Sequence, residues 1–116
     1  MPASLNAYLL PILLLLGSNV FMTIAWYGHL KFEQRPLWGV VLVSWGIAFF
    51  EYCLQVPANR WGHAVYSAPQ LKGMQEVISL LVFAGFSVAY LGEPIKWNHV
   101  AGFVLIVAAA WLLFLD

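Results

Sequence analysis

The sequence predicts an all-α membrane protein, a bundle of four transmembrane helices. Two observations carry that expectation. Of 116 residues, 63% are hydrophobic and only 9% are charged, whereas soluble domains carry about 25% charged residues. The apolar residues also fall into runs of the length a bilayer demands, about 20 residues each, parted by short polar connections. A water-soluble fold this small cannot hide so much apolar surface, so lipid must solvate much of it. Residues 1–116 then form a single domain, with helices expected over 5–27, 37–56, 70–91 and 97–115.

The first run has no Lys or Arg ahead of Lys31. It also exceeds the roughly 7–15 apolar residues of a secretory leader, so it reads as a retained helix. Pro36 suits the opening turn of the second helix. The third helix is set by arithmetic. Its clean apolar stretch, 77–91, rises about 22 Å, short of a hydrocarbon core about 30 Å thick. The helix must therefore begin at or before Lys72, which draws Glu76 into the membrane. The residues from Pro57 to Pro69, with Arg60 and His63, read as a loop joining helices 2 and 3. Gly92–Lys96 reads as a tight turn before the fourth helix.

Interfacial aromatics agree with these limits. Trp26, Tyr27, Trp38, Tyr90 and Trp97 gather on the side of loops 1 and 3, and Trp61 and Tyr66 on the other. His29, His63 and His99 fall near the same interfaces. Lys31, Arg35 and Lys96 stand on one side against Arg60 and Lys72 on the other. The positive-inside rule then places loops 1 and 3 in the cytoplasm, by a margin small enough that both orientations stay open.

Composition excludes several classes of function. A net charge of zero gives no electrostatic footprint for nucleic acid. Cys53 is the sole cysteine, so no intrachain disulfide can form. No phosphate-binding loop, nucleophile elbow or metal-ligand spacing occurs, so neither an enzyme, a metal site nor a cofactor is expected. What remains is polarity at membrane depth, which is costly and marks function or pairing.

Glu76 and Glu51 are the candidate ionisable groups, with Gln75, Asn19 and Trp45 beside them. Lys72, Gln75, Glu76 and Ser79 form one polar stripe on helix 3. A carboxyl withdrawn from water exchanges its proton at higher pH than a free one, so either glutamate could bind a proton or a cation in a transport path. The structural alternative pairs Glu76 with Lys72, and Glu51 with Arg60 or Lys72. Asn19 could line the path or bond two helices together. Trp45 could wall a cation pocket with its ring face or simply face lipid. Gly85, Ala89 and Gly102 permit close helix contact, within the chain or across a dimer.

Leu91-Gly92-Glu93-Pro94, followed by Trp97 and by Gly102-Phe-Val-Leu-Ile106, resembles the end of a repeat in the drug/metabolite transporter superfamily. Gln55-Val-Pro-Ala-Asn-Arg60 and Gln70-Leu-Lys-x-x-Gln-Glu-Val77 resemble its small single-domain branch. The resemblance implies a four-helix protein of the bacterial inner membrane, similar to the small multidrug resistance transporters. Those act as homodimers, often antiparallel, that exchange protons for cationic solutes. They use a membrane-embedded Glu in helix 1, where this chain has Ser18 and Asn19. The resemblance therefore shifts any coupling to Glu76, with Glu51 in support. The alternative is a non-transporting scaffold or a subunit of a larger membrane complex.

Overall fold

The structure, a computed structural model, describes residues 5–115. Its helices are α1 (Leu5–Tyr27), α2 (Leu37–Gly62), α3 (Ala68–Phe86) and α4 (Trp97–Leu113). A 3₁₀ turn (Gly28–Lys31) extends α1, and a π-helical turn (Ser87–Leu91) continues α3. No strand occurs among the described residues. The first three helices, with these extensions, are long and apolar enough to cross a bilayer. With 17 residues, α4 rises about 26 Å, at the lower end of the spanning range.

Local chemistry explains the helix ends. Ser67 and Gln70 open α3 with reciprocal bonds: the Gln70 amide donates to Ser67 Oγ (3.3 Å) and the Ser67 amide to Gln70 Oε1 (3.1 Å). This satisfies donors that a helix start otherwise leaves bare. At the far end Gly92 sits at φ +70°, where a side chain would clash and glycine does not. The Glu93 amide there reaches back to the Ser87 carbonyl at 3.0 Å, closing the helix. The Lys96 amide donates to His99 Nδ1 at 3.1 Å, which starts α4.

The expected loop from Pro57 is a correction. α2 continues through Pro57 to Gly62, and only the segment 63–67 joins it to α3. Proline leaves the carbonyl of Cys53 without its helical donor, a defect that membrane helices absorb through neighbouring groups. Tyr66 ties this short connection down. Its ring meets Tyr8 edge-on at 5.6 Å, and its hydroxyl donates to the Tyr8 carbonyl at 3.1 Å. Burial, and then the nearby Tyr8, push the Tyr66 phenol above its ordinary pKa, so it stays a donor at neutral pH.

Helices 2 and 3 are not packed side by side. α1 lies between them, pressed along α2 and also against α3, while α4 packs on α3. The molecule measures 55 × 34 × 19 Å. Its short axis is only about two helix diameters, so most side chains face outward. The interior is small and polar: Ser18, Asn19, Thr23, Glu51 and Ser87 are buried alongside Leu15, Ala25, Ala58, Leu71 and Ala110. Large apolar residues such as Leu13, Phe49, Leu105 and Trp111 are exposed. Apolar outside and polar inside is the arrangement that lipid favours.

Close helix approach falls on glycines other than the expected ones. A Cβ on Gly62 would lie 2.9 Å from Leu71 Cδ2 and 3.0 Å from Pro11 Cβ, where three helices meet. One on Gly73 would lie 3.1 Å from Leu113 Cδ1, at the α3–α4 contact. Gly85 and Gly102 have nothing within 4 Å of such a Cβ, and Ala89 is exposed. Within one protomer these three make no close helix contact, because their faces point away from the bundle. Gly62→Ala should therefore destabilise the protein by about 1–3 kcal/mol through overpacking. Gly85→Ala should stay within about 0.5 kcal/mol of wild type, as outward-facing substitutions do. Unfolding in mild detergent measures both, and equal losses would refute this packing.

Candidate functional site

α1 carries Ser18 and Asn19 side by side, fully buried in the middle of the bundle. Neighbouring positions on a helix point about 100° apart, so the two side chains address different partners. Ser18 Oγ donates to Gln55 Oε1 of α2 at 2.8 Å and lies 3.0 Å from the Leu15 carbonyl. Asn19 Nδ2 donates to Gln75 Oε1 of α3 at 3.0 Å, and Gln75 Nε2 donates back to Asn19 Oδ1 at 3.2 Å. Asn19 also donates to the Leu15 carbonyl at 2.7 Å. Four polar side chains on three helices thus form one layer, fastened through α1.

Glu51 lies about 6 Å along α2 from this layer. It sits one turn before Gln55, next to Phe50, whose ring stacks on Phe21 of α1 at 5.9 Å. Because α2 runs on to Gly62, Glu51 falls near the middle of a 26-residue helix, about 16 Å from its end. That is twice the depth expected of a helix ending at residue 56. Glu51 shares a face with Ala58 and Gly62, the other buried residues of α2, and is 7% exposed. Its side chain makes no hydrogen bond or ion pair among the described residues. No sealed side-chain polar atom among them lacks a partner, so its carboxyl keeps a narrow opening to its surroundings.

Glu76 differs. It pairs with Lys72 at 2.7 Å, one turn earlier on α3, and its side chain is 49% exposed. The structural alternative for this residue is therefore realised. The corresponding alternative for Glu51, a pair with Arg60 or Lys72, is not. Trp45 is 72% exposed and is not among the residues lining the two clefts beside the polar layer.

Two clefts flank the polar layer where α1 alone separates α2 from α3. Toward loops 1 and 3 lies a mostly apolar cleft of about 860 Å³, with Val20, Ile24, Val43, Ile47, Val82 and Phe86 among its walls. Arg35 and His29 stand at its loop end. Tyr90 also borders it, with its hydroxyl on the Gly28 carbonyl (3.3 Å) and the Lys31 ammonium over its ring (4.2 Å). Toward loop 2 lies a polar cleft of about 810 Å³, lined by Gln55, Asn59, Arg60, His63, Lys72 and Gln75 with a few apolar neighbours. Reading 57–69 as a loop conceals this second cleft. With α2 extended, Gln55, Asn59 and His63 fall at intervals of four on one face, a signal visible once Pro57 is allowed inside the helix. No group of three His, Cys, Asp or Glu among the described residues could hold a metal ion.

An apolar-skinned helical bundle with a hydrogen-bonded polar layer at mid-depth and clefts on either side of it is an integral membrane protein. A protein-family model described as "Putative member of DMT superfamily (DUF486)" matches residues 11–114, and the chain belongs to that family. The superfamily named in that description is one of drug/metabolite transporters. A search of curated proteins found no match, and a search of solved structures found none either.

The reciprocal Asn19–Gln75 pair yields a measurable coupling. Asn19→Leu strands one amide, and Gln75→Leu strands the other. A double-mutant cycle should return about 0.6–1.7 kcal/mol, the range for interhelical hydrogen bonds in membranes. Additive losses would show that the pair does not join α1 to α3.

Proposed function

We propose that the protein is a small secondary transporter of the bacterial inner membrane, working as a homodimer. The observation that carries this reading is the polar layer of Ser18, Asn19, Gln55 and Gln75, with the buried and unpaired Glu51 one helical turn from it. Hydrogen-bonding groups at membrane depth ordinarily serve as structural glue or line a path. Here they do both, since Gln55 and Gln75 hold the helices together and also border the cleft toward loop 2. Family membership supports transport as the class of activity.

Glu51, rather than Glu76, is the coupling group. A carboxylate that already holds a lysine has its charge compensated. An unpaired one at mid-depth must take up a proton or a cation to be tolerated, and this need is what a coupled transporter exploits. Lys72 borders the path with its charge neutralised by Glu76, while Asn19 and Gln75 provide polar lining. The solute is small or amphipathic, in keeping with clefts that are apolar at one end and polar at the other.

A second copy supplies what one protomer lacks. Secondary transporters line the solute path with two repeats, and this chain provides one. The outward, uncrowded faces at Gly85, Ala89 and Gly102 offer the close contact that such pairing requires.

Protein in proteoliposomes should move solute in response to a proton gradient. Glu51→Gln should reduce coupled flux by about 100-fold or more, a loss that begins at the lower end of proton-transfer contributions. Glu76→Gln should reduce it less than tenfold. Wild-type flux from Glu51→Gln would remove Glu51 from the mechanism, and no flux across a broad panel of solutes would favour the scaffold alternative.

A further inference from the structure

The polar cleft between α2 and α3 has a chemistry of its own. Arg60 and Lys72 stand in its walls, with Asn59 and His63 beside them and the amides of Gln55 and Gln75 at its inner end. The chain has five Lys and Arg in all, and two of them line this one cleft. No Asp or Glu lines it. Lys72 is held by Glu76 at 2.7 Å, whereas Arg60 makes no ion pair among the described residues. The cleft therefore carries one uncompensated guanidinium, a second cation neutralised from outside, and a floor of amides.

We infer that this cleft is a binding site for a small water-soluble oxyanion, a carboxylate or phosphate carried on a polar molecule. A guanidinium presents paired N–H donors that match the two oxygens of such a group. The amides of Asn59 and Gln55 supply donors and acceptors for the rest of the molecule. Six of the nine lining residues are polar, against Val56, Ala68 and Leu71. That argues for a soluble ligand over a lipid headgroup. The inner end abuts the layer made by Ser18 and Asn19, so an anion entering from loop 2 arrives at that layer, about one helical turn short of Glu51.

This inference deepens the transport reading by naming a solute class. Binding itself stands apart from that reading, and only the passage of the bound anion across the membrane rests on it. The charge of the solute is opposite to that of the cationic solutes implied by the multidrug resemblance. The helix-1 carboxylate that would attract a cation is absent, and a guanidinium stands in the cleft instead.

The test measures binding without flux. Protein in nanodiscs of zwitterionic phosphatidylcholine is titrated with succinate, inorganic phosphate and, as a cation control, tetraphenylphosphonium, with calorimetric or fluorescence readout. Succinate or phosphate should bind and the cation should not. Arg60→Gln should weaken anion binding about tenfold or more, the loss expected of a charged hydrogen bond, and Arg60→Lys should restore part of it. Arg60 is exposed, and an unchanged melting temperature confirms that each variant folds. A parallel arm adds anionic phosphatidylglycerol to the disc. Competition by that lipid with no binding of either soluble anion would overturn the proposal, as would equal affinity in Arg60→Gln and wild type, or binding of the cation alone. Anion binding in a protein that shows no flux would sustain the site and remove the transport reading. Flux that ignores Arg60 would do the reverse.

Discussion

The arrangement depends on α1 bonding in two directions at once. Between helices in lipid there is no hydrophobic gain to drive association, because the tails are as apolar as the side chains they would replace. Close packing and polar contacts must do that work. Ser18 reaches α2 and Asn19 reaches α3, so one pair of adjacent residues fixes two interfaces at the same height. With α1 wedged between them, α2 and α3 cannot close on each other, and the space left on either side of the polar layer becomes the two clefts. The interior that carries function is a by-product of how the bundle is held together.

Much of this is readable from residue order alone. The apolar runs locate four helices, and the shortfall of the stretch after Val77 requires α3 to begin well before it. Asn19, Gln75 and Glu51 stand out because polar groups inside such runs are rare. What stays hidden is hidden for physical reasons. Pro57 reads as a breaker because in water a mid-helix proline costs about 3 kcal/mol. In a bundle its freed carbonyl finds other company, and the helix continues. Ending the helix at that proline moves Glu51 toward the surface and dissolves the cleft that Asn59, Arg60 and His63 line.

Partner identity is hidden for a different reason. Sequence shows that Asn19 and Gln75 want hydrogen bonds, but not that α1 lies where it can satisfy both neighbours. The glycines show the same limit. Gly85 and Ala89 have the spacing of a packing motif yet face outward, while Gly62, outside any recognised motif, sits where Pro11 and Leu71 leave no room for a methyl group. Spacing proposes a face, and only the fold decides which way it turns.

The unequal lengths of the last two helices reach beyond the protein. α3 with its π turn covers 24 residues, while α4, packed against it, has 17. At the helical rise these differ by about 10 Å. A flat hydrocarbon slab cannot match both members of one antiparallel pair, so either α3 leans or the lipid beside α4 is drawn thin, at a fraction of a kcal/mol for each ångström of mismatch. The flank that carries α4 thus fits best in short-chain lipid, and the thickness of the host bilayer acts on the tilt of α3, and through Gln75 on the polar layer itself.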